Sequence, residues 1–301
     1  MSAPLLALSN LIVDDICRAD GAQRRQLGGA GLYAALGAAF WWPEVALVAG
    51  VGADLDDHAQ GALARWGLRD EGLLVRDAHT IGSRLVYRDD GERTETPWHG
   101  PEHFERLQLG PAQIPAALLP AAGCYLFQGL RPAYWDAYAG LRDRLGVTLW
   151  ELSADAARPE CWPAVRARLQ GVDVFSLNRT EALALLGAAE PRAAAAALLD
   201  AGARCIVLRL GADGALVADA RSMLRLRPPP GPVVDVTGAG NAFCGGFLAG
   251  RCRHGGDLEA AARCAAASAA LTIAQHGPPD PRRAEALHAL AAAARIDALP
   301  R

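Results

Sequence analysis

A single α/β domain, with a mainly parallel central sheet flanked by helices and a small β lid, is predicted by three features of the sequence. Apolar runs of strand length alternate with Ala-, Leu- and Arg-rich stretches of helical period. The runs are apolar almost throughout, as strands covered on both faces are. Two segments, near residues 10–18 and 80–97, break that rhythm with period-two alternation and turn residues.

The strand-like runs fall at 5–8, 45–48, 124–127, 147–150, 172–175 and 205–208. Between them, 134–145, 162–169 and 192–199 carry helical periodicity. Strands separated by helices of that length imply βαβ crossovers and hence a parallel sheet. In the lid segments, residues 83–88 alternate, and Asp89-Asp90-Gly91 is a hairpin-turn signal before 93–96. No long linker or internal repeat divides the chain, so residues 1–301 read as one domain. The Pro-rich run at 227–232 reads as a stiff connection and not as a boundary.

Composition narrows the function. The chain has 301 residues, 51% of them hydrophobic, which suits one large α/β domain. Its net charge of −3 has mixed signs throughout, so neither a nucleic-acid footprint nor a membrane patch is expected. There is no lysine; all 30 of its Lys-plus-Arg residues are Arg. P-loop chemistry and Schiff-base or PLP chemistry need a Lys amine and are excluded. The seven cysteines form no CxxC pair, so neither a disulfide framework nor a cysteine metal site is predicted. With no signal segment and no apolar run of transmembrane length, a cytoplasmic, reduced protein is expected.

The most distinctive motif is Asp235-Val236-Thr237-Gly238-Ala239-Gly240-Asn241-Ala242-Phe243, followed by Gly245-Gly246. Small residues leading into an Ala-rich helix let the loop approach a phosphate, and the helix N-terminus supplies unpaired N–H groups. The same glycines would also serve a plain turn that packs a helix against a strand. Asn178 and Glu181 have the spacing of a helix cap as well as that of a metal and phosphate site. Gly211 and Gly214 suit a hairpin turn, and Asp14 could sit solvated in a loop. Gly29-x-Gly31-x-x-Ala34 has dinucleotide-fingerprint spacing, but it follows Gln23-Arg24-Arg25-Gln26 and not a buried strand.

Taken in order along the chain, these motifs resemble the PfkB (ribokinase-like) carbohydrate kinase family. Asp-x-Thr-Gly-Ala-Gly-x-x-Phe-x-Gly-Gly is similar to its C-terminal signature, and Gly28-Gly29-Ala30-Gly31-Leu32-Tyr33 to its N-terminal one. The resemblance implies ATP-dependent phosphoryl transfer to a hydroxyl of a sugar or sugar-like acceptor. It implies that Gly238, Ala239 and Gly240 line an anion hole, and that Asp14, Gly28, Gly29 and Tyr33 hold the acceptor. Asn178, Glu181, Arg209, Gly211 and Gly214 would serve the nucleotide, with Glu181 positioning Mg²⁺. Asp235 and the Thr237 carbonyl match a monovalent-cation site, so K⁺ is a further expected ion. Family lids often pair through their exposed edges, so a homodimer is the expected assembly.

Three positions depart from the family pattern. Asn241 stands where active members usually keep an Asp base, and an amide can orient a hydroxyl but cannot take its proton. Tyr33 and Arg209 replace the usual Asn and Thr. A subgroup of the family resembles this chain in Gly-Ala-Gly-Asn, in the Tyr and in Trp150-Glu151. Arg209 is expected to contact ATP phosphate, and Asn241→Asp is expected to fit without repacking and to supply a base. Besides a kinase, slowed by Asn241, the sequence leaves open a non-catalytic sugar- or nucleotide-binding relative acting through a partner, and an unrelated Rossmann-type binder.

Overall fold

The computed structural model describes residues 2–17, 21–87, 93–279 and 285–300. The chain opens with β1 (Leu5–Leu8), β2 (Ile12–Cys17), β3 (Gln23–Gly28) and α1 (Ala30–Ala39). There follow β4 (Val45–Gly52), α2 (Asp57–Arg65), β5 (Leu68–Arg69), β6 (Leu73–Asp77), β7 (Gly82–Tyr87), β8 (Arg93–Pro97) and α3 (Pro101–Leu107). The middle comprises β9 (Gly123–Gln128), α4 (Pro132–Leu141), β10 (Val147–Leu152), α5 (Trp162–Leu169), β11 (Val174–Asn178), α6 (Arg179–Leu186) and α7 (Pro191–Asp200). The rest is β12 (Cys205–Arg209), β13 (Ala215–Asp219), β14 (Met223–Arg227), α8 (Ala239–Arg253), α9 (Leu258–Ile273), α10 (Leu287–Ala293) and β15 (Arg295–Leu299).

The large sheet has eleven strands in the order β15-β14-β13-β12-β11-β10-β9-β1-β4-β5, with β6 also pairing β4. From β12 through β4 every pairing is parallel, and β13 to β15 extend the sheet antiparallel. This is the mainly parallel, helix-flanked α/β sheet expected from the alternating runs. The expected strand at 172–175 begins two residues later and runs to Asn178, which brings Asn178 to the strand's C-terminal end.

Because side chains alternate along each strand, the sheet builds two separate cores. One face packs Leu6, Trp150, Phe175, Leu177 and Leu208 with residues of α4 to α7. The other packs Tyr125, Leu149, Val174 and Val207 with Phe243, Cys244 and Phe247 of α8 and with α1 and α9. No single helix among the described residues is long and apolar enough to cross a membrane.

A second sheet stands apart, with the order β3-β2-β7-β8. It contains both segments that broke the apolar rhythm, and one strand that sequence reasoning missed. Residues 23–25 of β3 are polar and exposed and Gln26, Leu27 and Gly28 are all buried, so the strand carries no period-two signal. The Gly29-x-Gly31 spacing thus follows a strand of the small sheet and not one of the parallel sheet, and no βαβ unit surrounds it. The Asp89-Asp90-Gly91 turn lies outside the described residues.

Candidate active site

The C-terminal ends of β10 to β12, Tyr125 from the middle of β9 and the N-terminus of α8 converge on one polar cluster. Register explains how. Glu151 at the end of β10 pairs with Ser176 of β11, and Asn178 of β11 pairs with Arg209 of β12. By alternation these residues, with Tyr125 of β9, point to the face covered by α8. Leu149 and Val207, two residues earlier on β10 and β12, belong to the apolar core on that face.

Glu151 is only 3% exposed and is the hub. Its Oε1 pairs with Arg209 Nη1 at 2.8 Å. Its Oε2 accepts from the Tyr125 hydroxyl at 2.7 Å. Asn241 Nδ2, from the first turn of α8, donates to Tyr125 Oη at 3.1 Å and lies 3.2 Å from each Glu151 oxygen. The other nitrogen of the Arg209 fork is 3.7 Å from Glu181 Oε2.

The charges are set by these contacts. Burial is the largest single influence and works against the Arg209 cation, but Glu151, Cys244, Glu181 and Tyr125 together outweigh it and raise the guanidinium pKa further above its ordinary value. Burial, then the Glu151 charge, pushes the Tyr125 phenol well above its usual range, so Tyr125 remains a donor. The Cys244 thiol, 3.2 Å from Ser176 Oγ, is likewise driven well up by burial, then by Glu151. Losing either partner of the Glu151–Arg209 pair would leave a buried charge uncompensated, which typically costs about 3–5 kcal/mol.

The Gly238–Gly240 loop forms the start of α8. Gly238 has φ +76°, and a Cβ there would lie 2.2 Å from the ring of Tyr33. A Cβ on Gly240 would lie 2.2 Å from Arg209 Nη1. Glycine at 238 therefore lets the loop pass the Tyr33 ring, and glycine at 240 leaves the guanidinium its place. The first turn of the helix presents N–H groups and the positive end of the dipole, with a fixed cation behind it. An anion would be held there.

The other expected residues group around this point. Asn178 caps α6: its Oδ1 accepts from Glu181 N at 2.9 Å, and Glu181 Oε2 accepts from Asn178 N at 2.7 Å. The capping role is therefore real, yet it leaves the Glu181 carboxylate beside Arg209. Burial raises the Glu181 pKa, with the Asn178 N–H and Arg209 opposing. Gly211 and Gly214 bound a one-turn 3-10 helix at the end of β12. They border an apolar cavity of about 900 Å³ walled by Leu226, Pro230, Val236, Phe243 and Leu271. The Pro-rich connection thus forms a wall. Asp235 Oδ1 accepts from Thr237 N at 2.9 Å, and its Oδ2 is 3.9 Å from His276 Nδ1.

Asp14 lies on the small sheet, 8% exposed, with a Cβ on Gly28 placed 2.5 Å from its Oδ2. Gly29 precedes α1 at its N-cap. Tyr33 is 1% exposed, and its ring lies against the Gly238 loop. The register sets Gln26 and Ser83 on either side of Asp14, and all three are buried. Sequence reasoning missed Gln26 and Tyr125, and it noted Glu151 only as a subgroup marker. The available signal was period two: Glu151 continues the face of Leu149 beyond an apolar run.

Known proteins share this fold. The pfkB family carbohydrate kinase profile matches residues 14–284. The chain belongs to this family. It is by membership a PfkB-type kinase, as the motifs led one to expect. A Schizosaccharomyces pombe protein described as uncharacterised is 28% identical over 89% of this chain and 83% of its own length. A cytidine kinase of Thermococcus kodakarensis is 28% identical over 86% of this chain and 92% of its own. Among solved structures, a putative ribokinase II from E. coli superposes with a TM-score of 0.78 at 20% identity, covering 96% of this chain and 99% of that one. The same protein with ATP and Mg²⁺ gives 0.76.

Proposed function

We propose that this PfkB-family chain transfers the γ-phosphoryl group of ATP to a hydroxyl of a sugar or sugar-like acceptor, and that it does so slowly because Asn241 supplies no base. The observation that carries this reading is the loop Gly238–Ala239–Gly240, backed by Arg209 and opening beside a 900 Å³ apolar cavity. Open α/β sheets hold ligands at this edge. The aliphatic walls suit a nucleobase, and the helix start beside them suits a triphosphate.

In this scheme the first-turn N–H groups and the Arg209 charge behind Gly240 stabilise the transferring group as negative charge shifts onto the leaving oxygens. Asn178, Gly211 and Gly214 position the nucleotide. Asp14, Gly28, Gly29 and Tyr33 hold the acceptor, with Asp14 in a covered polar row able to receive sugar hydroxyls. Asn241 orients the reacting hydroxyl, whose proton leaves late in a loose transition state.

The donors suit the expected ions. No group of three or more His, Cys, Asp or Glu could hold a metal among the described residues. Mg²⁺ would therefore sit mainly on phosphate oxygens and water with Glu181 in reach, which is how the ion is commonly held. It would supply charge neutralisation to the phosphates. Asp235 and the Thr237 carbonyl offer the oxygen ligands that K⁺ takes. The four-stranded sheet would act as a lid that closes over the acceptor and excludes water. Its edge strands β3 and β8 would pair with those of a second copy, forming a homodimer. The free cysteines among the described residues suit a reduced, cytoplasmic setting.

Asn241 is the one observation favouring a non-catalytic relative that binds the same ligands. An ATP-consumption screen against sugars, polyols and nucleosides separates the two readings. Acceptor-dependent ADP release is the expected result. ATP binding without turnover on any acceptor would overturn the catalytic reading.

A further inference from the structure

Asn241 is held by its nitrogen. Nδ2 lies within 3.2 Å of both Glu151 oxygens and 3.1 Å from Tyr125 Oη, whose own proton goes to Glu151. A carboxylate can only accept, so the group facing it must be the NH₂. This fixes the amide, whose two ends are otherwise interchangeable in shape. The amide oxygen is left to the side away from Glu151. Glu151 itself is also held by Arg209 at 2.8 Å, and Arg209 lies against Gly240.

We propose that Glu151 is a positioning residue: paired with Arg209, it locks the Asn241 amide so that Oδ1, and never Nδ2, meets the acceptor hydroxyl. The proposal deepens the phosphoryl-transfer reading and rests on it for its functional half. With Oδ1 outward, the hydroxyl must donate its proton to the amide, which turns an oxygen lone pair toward the phosphoryl group. With Nδ2 outward, the amide would occupy that lone pair instead. No covalent step is added.

The same geometry alters what Asn241→Asp would do. An aspartate there would set a second carboxylate about 3.2 Å from Glu151. Two carboxylates so close cannot both ionise, and one is held protonated. The single substitution therefore creates a carboxylate pair that shares one proton, and not the independent base expected from shape alone. Moving the carboxylate, by combining Glu151→Gln with Asn241→Asp, keeps the charge total. It also keeps a counter-ion for Arg209 and restores a donor–acceptor match with its direction reversed.

Thermal unfolding of the full chain and its three variants tests the pair without reference to activity. Each single change is expected to lower Tm by about 5–10 °C, and the double variant to recover most of that loss. Additive losses would overturn the coupling. Single-turnover transfer to the acceptor found by screening tests the function. Glu151→Gln is expected to lower kcat about 10-fold or more while the KM for ATP stays within about twofold, the pattern of a lost transition-state interaction. The double variant should gain a rate that rises with pH as the relocated carboxyl group ionises, up to about 100-fold over Glu151→Gln, while the native rate lacks that rise. An unchanged kcat in Glu151→Gln would sink the positioning role. If the native chain transfers to no acceptor, the kinase reading fails and the Tm cycle alone decides the pair.

Discussion

The two faces of the central sheet use the same strands for opposite ends. On β10, Trp150 points into the core under α4 to α7 and is fully buried among Trp135, Phe175 and other apolar groups. Its neighbour Glu151 points the other way, equally hidden, into a network of Arg209, Tyr125 and Asn241. One face holds the domain together by area and shape. The other spends its last layer on a charge pair that packs less well than apolar groups would, and it carries the helix start where an anion can bind. One residue step in register separates structure from chemistry.

Substitutions on each side should show that difference. The largest effect is expected at Trp150→Ala, which removes a large side chain and its Nε1 bond to Gln128 O at 2.7 Å. A loss of about 3–5 kcal/mol in denaturant unfolding is predicted. Arg209→Ala, on the opposite face, should cost about 3 kcal/mol by stranding Glu151, and it should also weaken ATP binding by about 1–3 kcal/mol in calorimetry. Stability loss with unchanged ATP affinity would confine Arg209 to the pair with Glu151. Asn178→Ala removes a cap common to both roles of its helix, and about 1 kcal/mol is expected.

The smallest effect concerns pH at the approach to the small sheet. Burial pushes the Asp54 carboxyl up, but bonds from Thr80 N and Oγ1 and from His79 outweigh it and hold the pKa below its ordinary value. A carboxyl depressed on folding adds stability above its unfolded pKa, near 4, and that stability is lost as pH falls through the folded value. Asp54→Asn should therefore flatten the acid limb of the stability profile slightly. An unaltered limb would show that the Thr80 bonds carry no net weight.

The strands of the parallel sheet were legible because burial on both faces makes them continuously apolar, and the phosphate loop was legible because glycines cluster there. What was hidden depended on contacts between distant segments. Gln23 to Gly28 looks polar because β3 is an edge strand whose first half, residues 23–25, is exposed. Nothing local to Arg209 shows that Glu151, fifty-eight positions earlier, pairs with its guanidinium. The spacing of Asn178 and Glu181 suits both a cap and a metal-side pair, and the cap is made without removing Glu181 from Arg209. Asn241→Asp looked benign on shape, and only the position of Glu151 reveals the clash of charge.

A crystal structure of the chain with ATP and Mg²⁺ tests the central claim most directly. The account predicts the base in the cavity walled by Leu226, Pro230 and Phe243, the triphosphate at the N-terminus of α8 over Gly238–Gly240, and Arg209 still paired with Glu151. A triphosphate bound elsewhere, or one that draws Arg209 away from Glu151 and frees the Asn241 amide, would contradict it.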